Sequence, residues 1–228
     1  MLLAIDTATA FTGLALYSPR GPLAECVWES GRNHTAQLLP QIDTLLRYVG
    51  ATPADLTALA VSLGPGSWSG LRVGLSLAKG MALAGDLPLI GIPTLDALAY
   101  QYLPTALPVY PLIRLGRERY ATAPFILRQR LERLAPDRNL TLGELCAEIS
   151  GRALFCGDLD PATMAALQRG LGERAVFPLP AARLRRPAFL AELAWQRHLE
   201  QRYDDLATLE PIYLGEPVRA PVTGASSQ

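Results

Sequence analysis

The sequence predicts an α/β fold in two halves, each a mixed sheet flanked by helices. Three observations carry this expectation. The order β-β-β-α-β-α-β-α runs over residues 1–104, a proline-marked break falls at residues 103–108, and 50% of the 228 residues are hydrophobic. Three strands followed by alternating helices and strands make a mixed sheet under helical cover. Half-apolar composition at this length suffices for one large domain or two modest ones.

The apolar run Leu2 to Thr7 is the first strand. Gly13 to Tyr17 is its hairpin partner across the small, polar turn Ala8 to Thr12. A third strand covers Leu23 to Trp28, and Ser30, Gly31 and Asn33 are loop residues. From Thr35 to Val49, the residues Leu38, Leu39, Ile42, Leu45, Leu46 and Val49 recur at spacings of three and four, the mark of an amphipathic helix. Pro40 argues against a long regular first turn unless it lies near the helix start. Leu56 to Ser62 is a buried strand, the loop Gly64-Pro65-Gly66-Ser67-Trp68-Ser69-Gly70 turns the chain, and Leu71 to Ala84 is the second helix. Strand Leu87 to Ile92 then leads through Pro93 and Thr94 into a helix from Leu95 to about Tyr102.

In the second half, Val109 to Ile113, Arg119 to Leu127 and Ala153 to Cys156 read as strands, and Pro161 to Arg169 and Ala188 to Tyr203 as helices. Residues 1–104 are expected to form one subdomain and 105–215 another, with a frayed tail at 216–228. The sequence shows no internal repeat.

Lys plus Arg and Asp plus Glu number 21 each, so the whole molecule has no electrostatic pull toward nucleic acid or anionic lipid. No apolar run approaches the roughly 20 residues of a membrane-spanning helix. The opening MLLAIDTATA lacks a signal-peptide pattern, so a cytoplasmic protein without membrane attachment is expected. Cys26, Cys146 and Cys156 lack metal-type spacing and suit reduced packing residues. His34 and His198 have no ligand partner at helical spacing, and Ser67 has no assignable base, so neither a metal site nor a catalytic serine is expected.

Asp6, closing the first strand beside Thr7, is placed to meet a metal-bound nucleotide or to cap the turn with its own oxygens. Gly64, Gly66, Ser67 and Gly70 allow close backbone approach before a helix N-terminus, either for an anion or for a tight connection. In the helix that follows, Gly70, Gly74 and Ala78 share one face and Ser76, Gly80 and Ala84 another. Each interior glycine costs roughly 1 kcal/mol against alanine, so close packing on the sheet or on a partner helix should compensate. Arg114, Arg117 and Arg119 open a locally basic stretch that either holds nucleic-acid phosphates or is a solvated face.

Together LLAIDTATAFTGLAL, RNHTAQLLPQIDTLL, ALAVSLGPGSWSGLRVGLSLAKGMALAGDLPLIGIPTLDALA and PIYLG resemble the TsaB (YeaZ) family in content and order. The resemblance implies an actin-like (ASKHA, ribonuclease H-like) two-subdomain fold. It also implies a non-catalytic subunit for threonylcarbamoylation of tRNA adenosine next to the anticodon. Such a subunit binds and activates a TsaD-like catalytic paralogue, with a TsaE-like ATPase and tRNA joining the assembly and a homodimer forming when it is alone. No cofactor is implied, ATP or ADP being contacted only within the complex. The partner-facing residues expected on the first two long helices are Leu38, Ile42, Leu45, Gly70, Arg72, Gly74, Leu75 and Ala78.

TsaD-like chains carry an N-H-x-x-x-H metal pair after the strand matching Leu87 to Ile92, where this chain has Pro93, Thr94 and Leu98. Many TsaB chains carry D-A-R-x-G-E-x-Y in the second half, and here Ile113 to Tyr120 keeps the Glu and Tyr while losing the Asp. The competing readings are an actin-like ATPase or small-molecule kinase using Asp6 and the glycine loop, and a peptidase-like member of the superfamily. The second has no metal pair or triad behind it.

Overall fold

The computed structural model describes residues 1–31, 34–116 and 118–214. Its first sheet opens with an antiparallel meander of β1 (Leu2–Asp6), β2 (Phe11–Ser18) and β3 (Gly21–Glu29). Strands β4 (Ala58–Gly64) and β5 (Leu89–Pro93) then add in parallel beside β1, giving the order β3-β2-β1-β4-β5. Every residue of β1 and β4 is buried, as central strands covered on both faces should be. The crossovers are α1 (His34–Tyr48) and α2 (Trp68–Gly85), and α3 (Thr94–Tyr100) follows β5.

Element bounds shift where local chemistry extends or breaks them. Helix α2 begins at Trp68 instead of Leu71 because the Ser67 hydroxyl caps it, accepting the Gly70 N–H at 3.3 Å. Pro40 lies inside α1, and the helix continues through it. Pro40 and Ala36 are both exposed, so the carbonyl left without a donor is on the solvent side. The expected strand Arg119 to Leu127 is two, β7 (Arg119–Thr122) and β8 (Phe125–Leu127), separated at Ala123 and Pro124.

The second sheet combines β7 and β8 with β6 (Val109–Gly116), β9 (Leu131–Arg133), β10 (Arg138–Thr141), β11 (Ala153–Gly157) and β12 (Ala175–Val176). Its covering helices are α4 (Leu142–Glu148) and α5 (Pro161–Leu171). The order β10-β7-β6-β11-β12, with the β8–β9 hairpin attached to β6, repeats the arrangement of the first sheet: an antiparallel trio, then two parallel strands reached through helices. The duplication is one of topology, and the sequence carries no trace of it.

Helix α6 (Pro187–Leu199) returns to the first sheet and packs across β1, β2 and β3. Leu190, Ala191 and Ala194 cover a face built from Leu2, Ala4, Ala15, Ala58, Ala60 and Ile90. The opposite face holds α1 and α2 over a core that includes Leu3, Ile5, Leu14, Leu38, Leu59 and Leu75. The expected division at residue 104 is therefore corrected, because the first lobe needs residues from both ends of the chain. Beyond α6, Asp204 bridges to Leu89, and the Ile212 N–H donates to the Leu63 carbonyl at 2.7 Å. The side-chain amide of Asn139 in the second lobe then donates to the Leu214 carbonyl at 2.8 Å. The expected tail at 216–228 lies outside the described residues. Among the described residues, no helix is long and apolar enough to cross a membrane.

Candidate functional site

Two regions gather the residues singled out by the sequence: the α1–α2 side of the first lobe and the cleft between the lobes. On α2 the Gly70 and Gly74 row faces inward. A Cβ on Gly70 would stand 2.1 Å from the Thr7 carbonyl oxygen, and one on Gly74 would stand 2.2 Å from Thr7 Oγ1. The Thr7 hydroxyl donates to the Gly70 carbonyl at 2.7 Å, in a fully buried position. The small-residue row thus lets the helix lie directly on the end of β1.

This corrects the expected partner face. Leu38, Ile42, Leu45, Gly70, Gly74, Leu75 and Ala78 are all buried within the chain, and of the expected set Arg72 alone is exposed. Apolar periodicity marks the stripe that meets the helix's own sheet, and a partner can reach only what lies outside it. The outward residues include Leu39 and Tyr48 of α1 and Trp68, Arg72, Ser76, Gly80 and Leu83 of α2. Tyr48 is 81% exposed and Leu83 72%. A Cβ on Gly80 would meet nothing within 4 Å. At the start of α2 the Trp68 ring stacks on Tyr213 at 4.2 Å, the Arg72 guanidinium lies 4.0 Å over Trp68, and Arg72 Nε donates to the Tyr213 hydroxyl at 3.2 Å. Tyr213 is thereby fixed to the start of α2.

The glycine loop is hydrogen-bonded back onto the chain. The Gly64 N–H donates to Thr94 Oγ1, the Ser67 N–H to the Ala8 carbonyl at 2.7 Å, and the Gly70 N–H to Ser67 Oγ. Gly64 adopts φ +109°, and a side chain there would meet the Ile212 carbonyl at 2.5 Å. Asp6 is likewise engaged: its Oδ1 accepts the Ala8 N–H and its Oδ2 pairs with the Arg185 guanidinium. A nucleotide-bound metal would have to displace that arginine.

Arg185 enters a cleft of about 440 Å³ between the lobes, whose lining also includes Phe11, Arg114, Asp158, Asp160 and Arg183. Burial pushes the Asp158 carboxyl up from its ordinary range, while the Arg114 backbone N–H and the nearby Arg185 charge pull the other way. Asp160 is held below the usual carboxylate range, chiefly by the Thr163 backbone N–H it accepts as the N-cap of α5.

Of the arginines read as either phosphate contacts or a solvated face, Arg114 and Arg119 make contacts within the chain. One Arg114 Nη lies within hydrogen-bond distance of Tyr120 Oη, Asp160 Oδ2 and Thr163 Oγ1, and Arg119 donates to Asn139 and lies 3.7 Å from Glu144. Arg117 lies outside the described residues. Arg185 and Asp158 were not legible from sequence. The only signal is that Asp158 directly follows an apolar strand, much as Asp6 closes one.

Residues 28–149 match the family model described as TsaD: tRNA N6-adenosine threonylcarbamoyltransferase. The chain is 29% identical over 217 residues to the tRNA threonylcarbamoyladenosine biosynthesis protein TsaB of Bacillus subtilis, covering 93% of each chain. It is 40% identical over 98 residues to the TsaB of Escherichia coli, covering 43% of this chain and 42% of that one. The solved structure of YeaZ from Pseudomonas aeruginosa superposes with a TM-score of 0.80 at 23% identity, over 93% of this chain and 99% of that one.

Proposed function

The chain belongs to the TsaB (YeaZ) family and takes part in tRNA threonylcarbamoyladenosine biosynthesis. From that premise we propose that it acts as a non-catalytic subunit that binds and activates a TsaD-like catalytic paralogue. One observation carries the reading. The positions that match the TsaD-like metal pair hold Thr94 and Leu98, and both are buried. The Thr94 hydroxyl accepts the Gly64 N–H at 3.1 Å, and Leu98 packs in the core between α3 and the second sheet. Neither can present an imidazole to a metal.

The outward α1–α2 surface, with Leu39, Tyr48, Trp68 and Leu83 exposed, is the face offered to the paralogue. Exposed aromatic and arginine side chains are the residues that dominate interface energies. The same face serves a homodimer when the paralogue is missing. A TsaE-like ATPase and tRNA join through the complex, ATP or ADP is met only there, and the work is done in the cytoplasm.

The test is reconstitution from purified components. Threonylcarbamoyl-adenylate, tRNA and the metal-loaded paralogue are supplied with and without this chain, and modified adenosine is measured by mass spectrometry. Product only when both proteins are present supports the reading. Product from this chain alone, or no change on its omission, refutes it. Leu83→Asp should weaken paralogue binding by tenfold or more, about 1.4 kcal/mol, while leaving stability within about 0.5 kcal/mol, as for other surface substitutions. Unchanged binding in that variant would remove α2 from the interface.

A further inference from the structure

Two motifs of the sequence, the glycine loop and PIYLG, meet at one place. The Ile212 N–H donates to the Leu63 carbonyl at 2.7 Å, and the Ile212 carbonyl oxygen lies 2.5 Å from where a Cβ on Gly64 would stand. The bare backbone of Gly64 is what lets residue 212 come this close.

Residues 204–214, which lead into and through this meeting point, touch both lobes. On the first lobe, Asp204 Oδ2 accepts the Gly91 N–H at 2.7 Å, and Leu206, Leu209 and Ile212 pack against the core under α1 and α2. Tyr213 stacks on Trp68 and its hydroxyl accepts from Arg72 Nε at the exposed start of α2. The next residue reaches the second lobe. Leu214 packs against the core that contains Ile113, Ala121 and Phe125, and its carbonyl accepts the Asn139 side-chain amide at 2.8 Å. That amide is held the right way round, because Asn139 Oδ1 accepts Arg119 Nε at 2.7 Å. Adjacent residues therefore hold opposite lobes. Tyr213 and Leu214 share one planar peptide unit, so a displacement of either that exceeds side-chain play must move the other.

We propose that residues 204–214 are a strap that relays between the exposed start of α2 and the second lobe: Tyr213 seats on Trp68 and Arg72 while Asn139 holds Leu214, and release at either end loosens the other. A macromolecule that takes hold of Trp68 or Tyr213, both open to solvent, thereby alters the hold on the second lobe without touching it. The relay belongs to this chain alone and does not depend on which partner occupies the α1–α2 face.

NMR of the full chain tests this, with fluorine-labelled tryptophan as one reporter and amide hydrogen exchange as the other. The three tryptophans give three fluorine resonances, and Trp68→Phe assigns the one at α2. Asn139→Asp keeps the acceptor for Arg119 but removes the donor to Leu214. In that variant the Trp68 resonance should shift, and the Ile212 amide should exchange on the order of fivefold faster, the equilibrium worth of one lost hydrogen bond. In the reverse direction, Tyr213→Ala should move the Asn139 side-chain amide resonance. Arg138→Ala is the control: Arg138 neighbours Asn139 on β10 and pairs with Glu148, so its loss should leave Trp68 and Ile212 unchanged. An unmoved Trp68 resonance or wild-type Ile212 exchange in Asn139→Asp overturns the relay. So does an unmoved Asn139 amide in Tyr213→Ala. A response to Arg138→Ala as large as that to Asn139→Asp overturns it too, because it would mean general loosening of the second lobe. Should Tyr213→Ala not fold, the Asn139→Asp arm decides alone.

Discussion

Replacing Gly74 with alanine should destabilise this protein, although the same change in an isolated helix stabilises. The helical preference of alanine over glycine contributes about 1 kcal/mol in favour. Against it, the new methyl would stand 2.2 Å from Thr7 Oγ1, far inside contact distance. Overpacking of this kind costs about 1–3 kcal/mol. Displacing the hydroxyl also breaks its buried hydrogen bond to the Gly70 carbonyl, worth about 1 kcal/mol. The net expectation is a loss of about 1–3 kcal/mol. Gly80 is the internal control: it lies on the same helix with open space around it, so Gly80→Ala should gain up to about 1 kcal/mol. The two variants should bracket the wild type in urea midpoint, with equal denaturant slopes. Adding Thr7→Ala to Gly74→Ala should recover about 1–2 kcal/mol of the loss, because the colliding hydroxyl is gone. A Gly74→Ala protein as stable as Gly80→Ala would refute the inward orientation of the glycine row.

Two further outcomes follow from the second lobe and the C-terminal segment. Asp160 has a folded-state pKa below its ordinary value, so its contribution is present above the ordinary carboxylate range and is lost as pH falls through the depressed value. Asp160→Asn keeps an N-cap but not the titration, and urea midpoints measured from pH 6 downward should fall less steeply than in the wild type. Asp204→Ala should cost about 1–3 kcal/mol, because the Gly91 N–H loses its 2.7 Å acceptor and Arg197 loses its carboxylate. Thermal unfolding within experimental error of the wild type would exclude that anchoring role.

The first lobe was legible because its signals are local. An apolar run closed by Asp6, a heptad-like stripe from Leu38 to Val49 and a glycine-bounded connection each name their element within a few residues. The second lobe was harder because its pieces are short: β8 and β9 span three residues each, too few for periodicity to register, and α4 is announced only by the Thr141–Glu144 capping box. The residues expected on a partner face are buried in the chain itself for a physical reason. Leu38, Ile42 and the Gly70–Gly74 row look like interface residues because burial in one's own sheet and burial in a partner impose the same pattern. Arg185 escaped notice because its partner Asp6 is 179 positions away and nothing in RLRR reveals which arginine is drawn inward.

The placement of α6 bears on how the protein is made. Leu2, Ala4, Ala15 and Ala58 leave the ribosome early, yet the helix that covers them ends at Leu199. Through most of synthesis one face of the opening sheet lacks its native cover, and emergence of the last helix and the segment after it completes both lobes together. Until α6 has emerged, a nascent chain exposes an apolar sheet face of the kind that favours aggregation. A stalled product ending near residue 104 would be a substrate for chaperones and proteases and not a free-standing half-molecule.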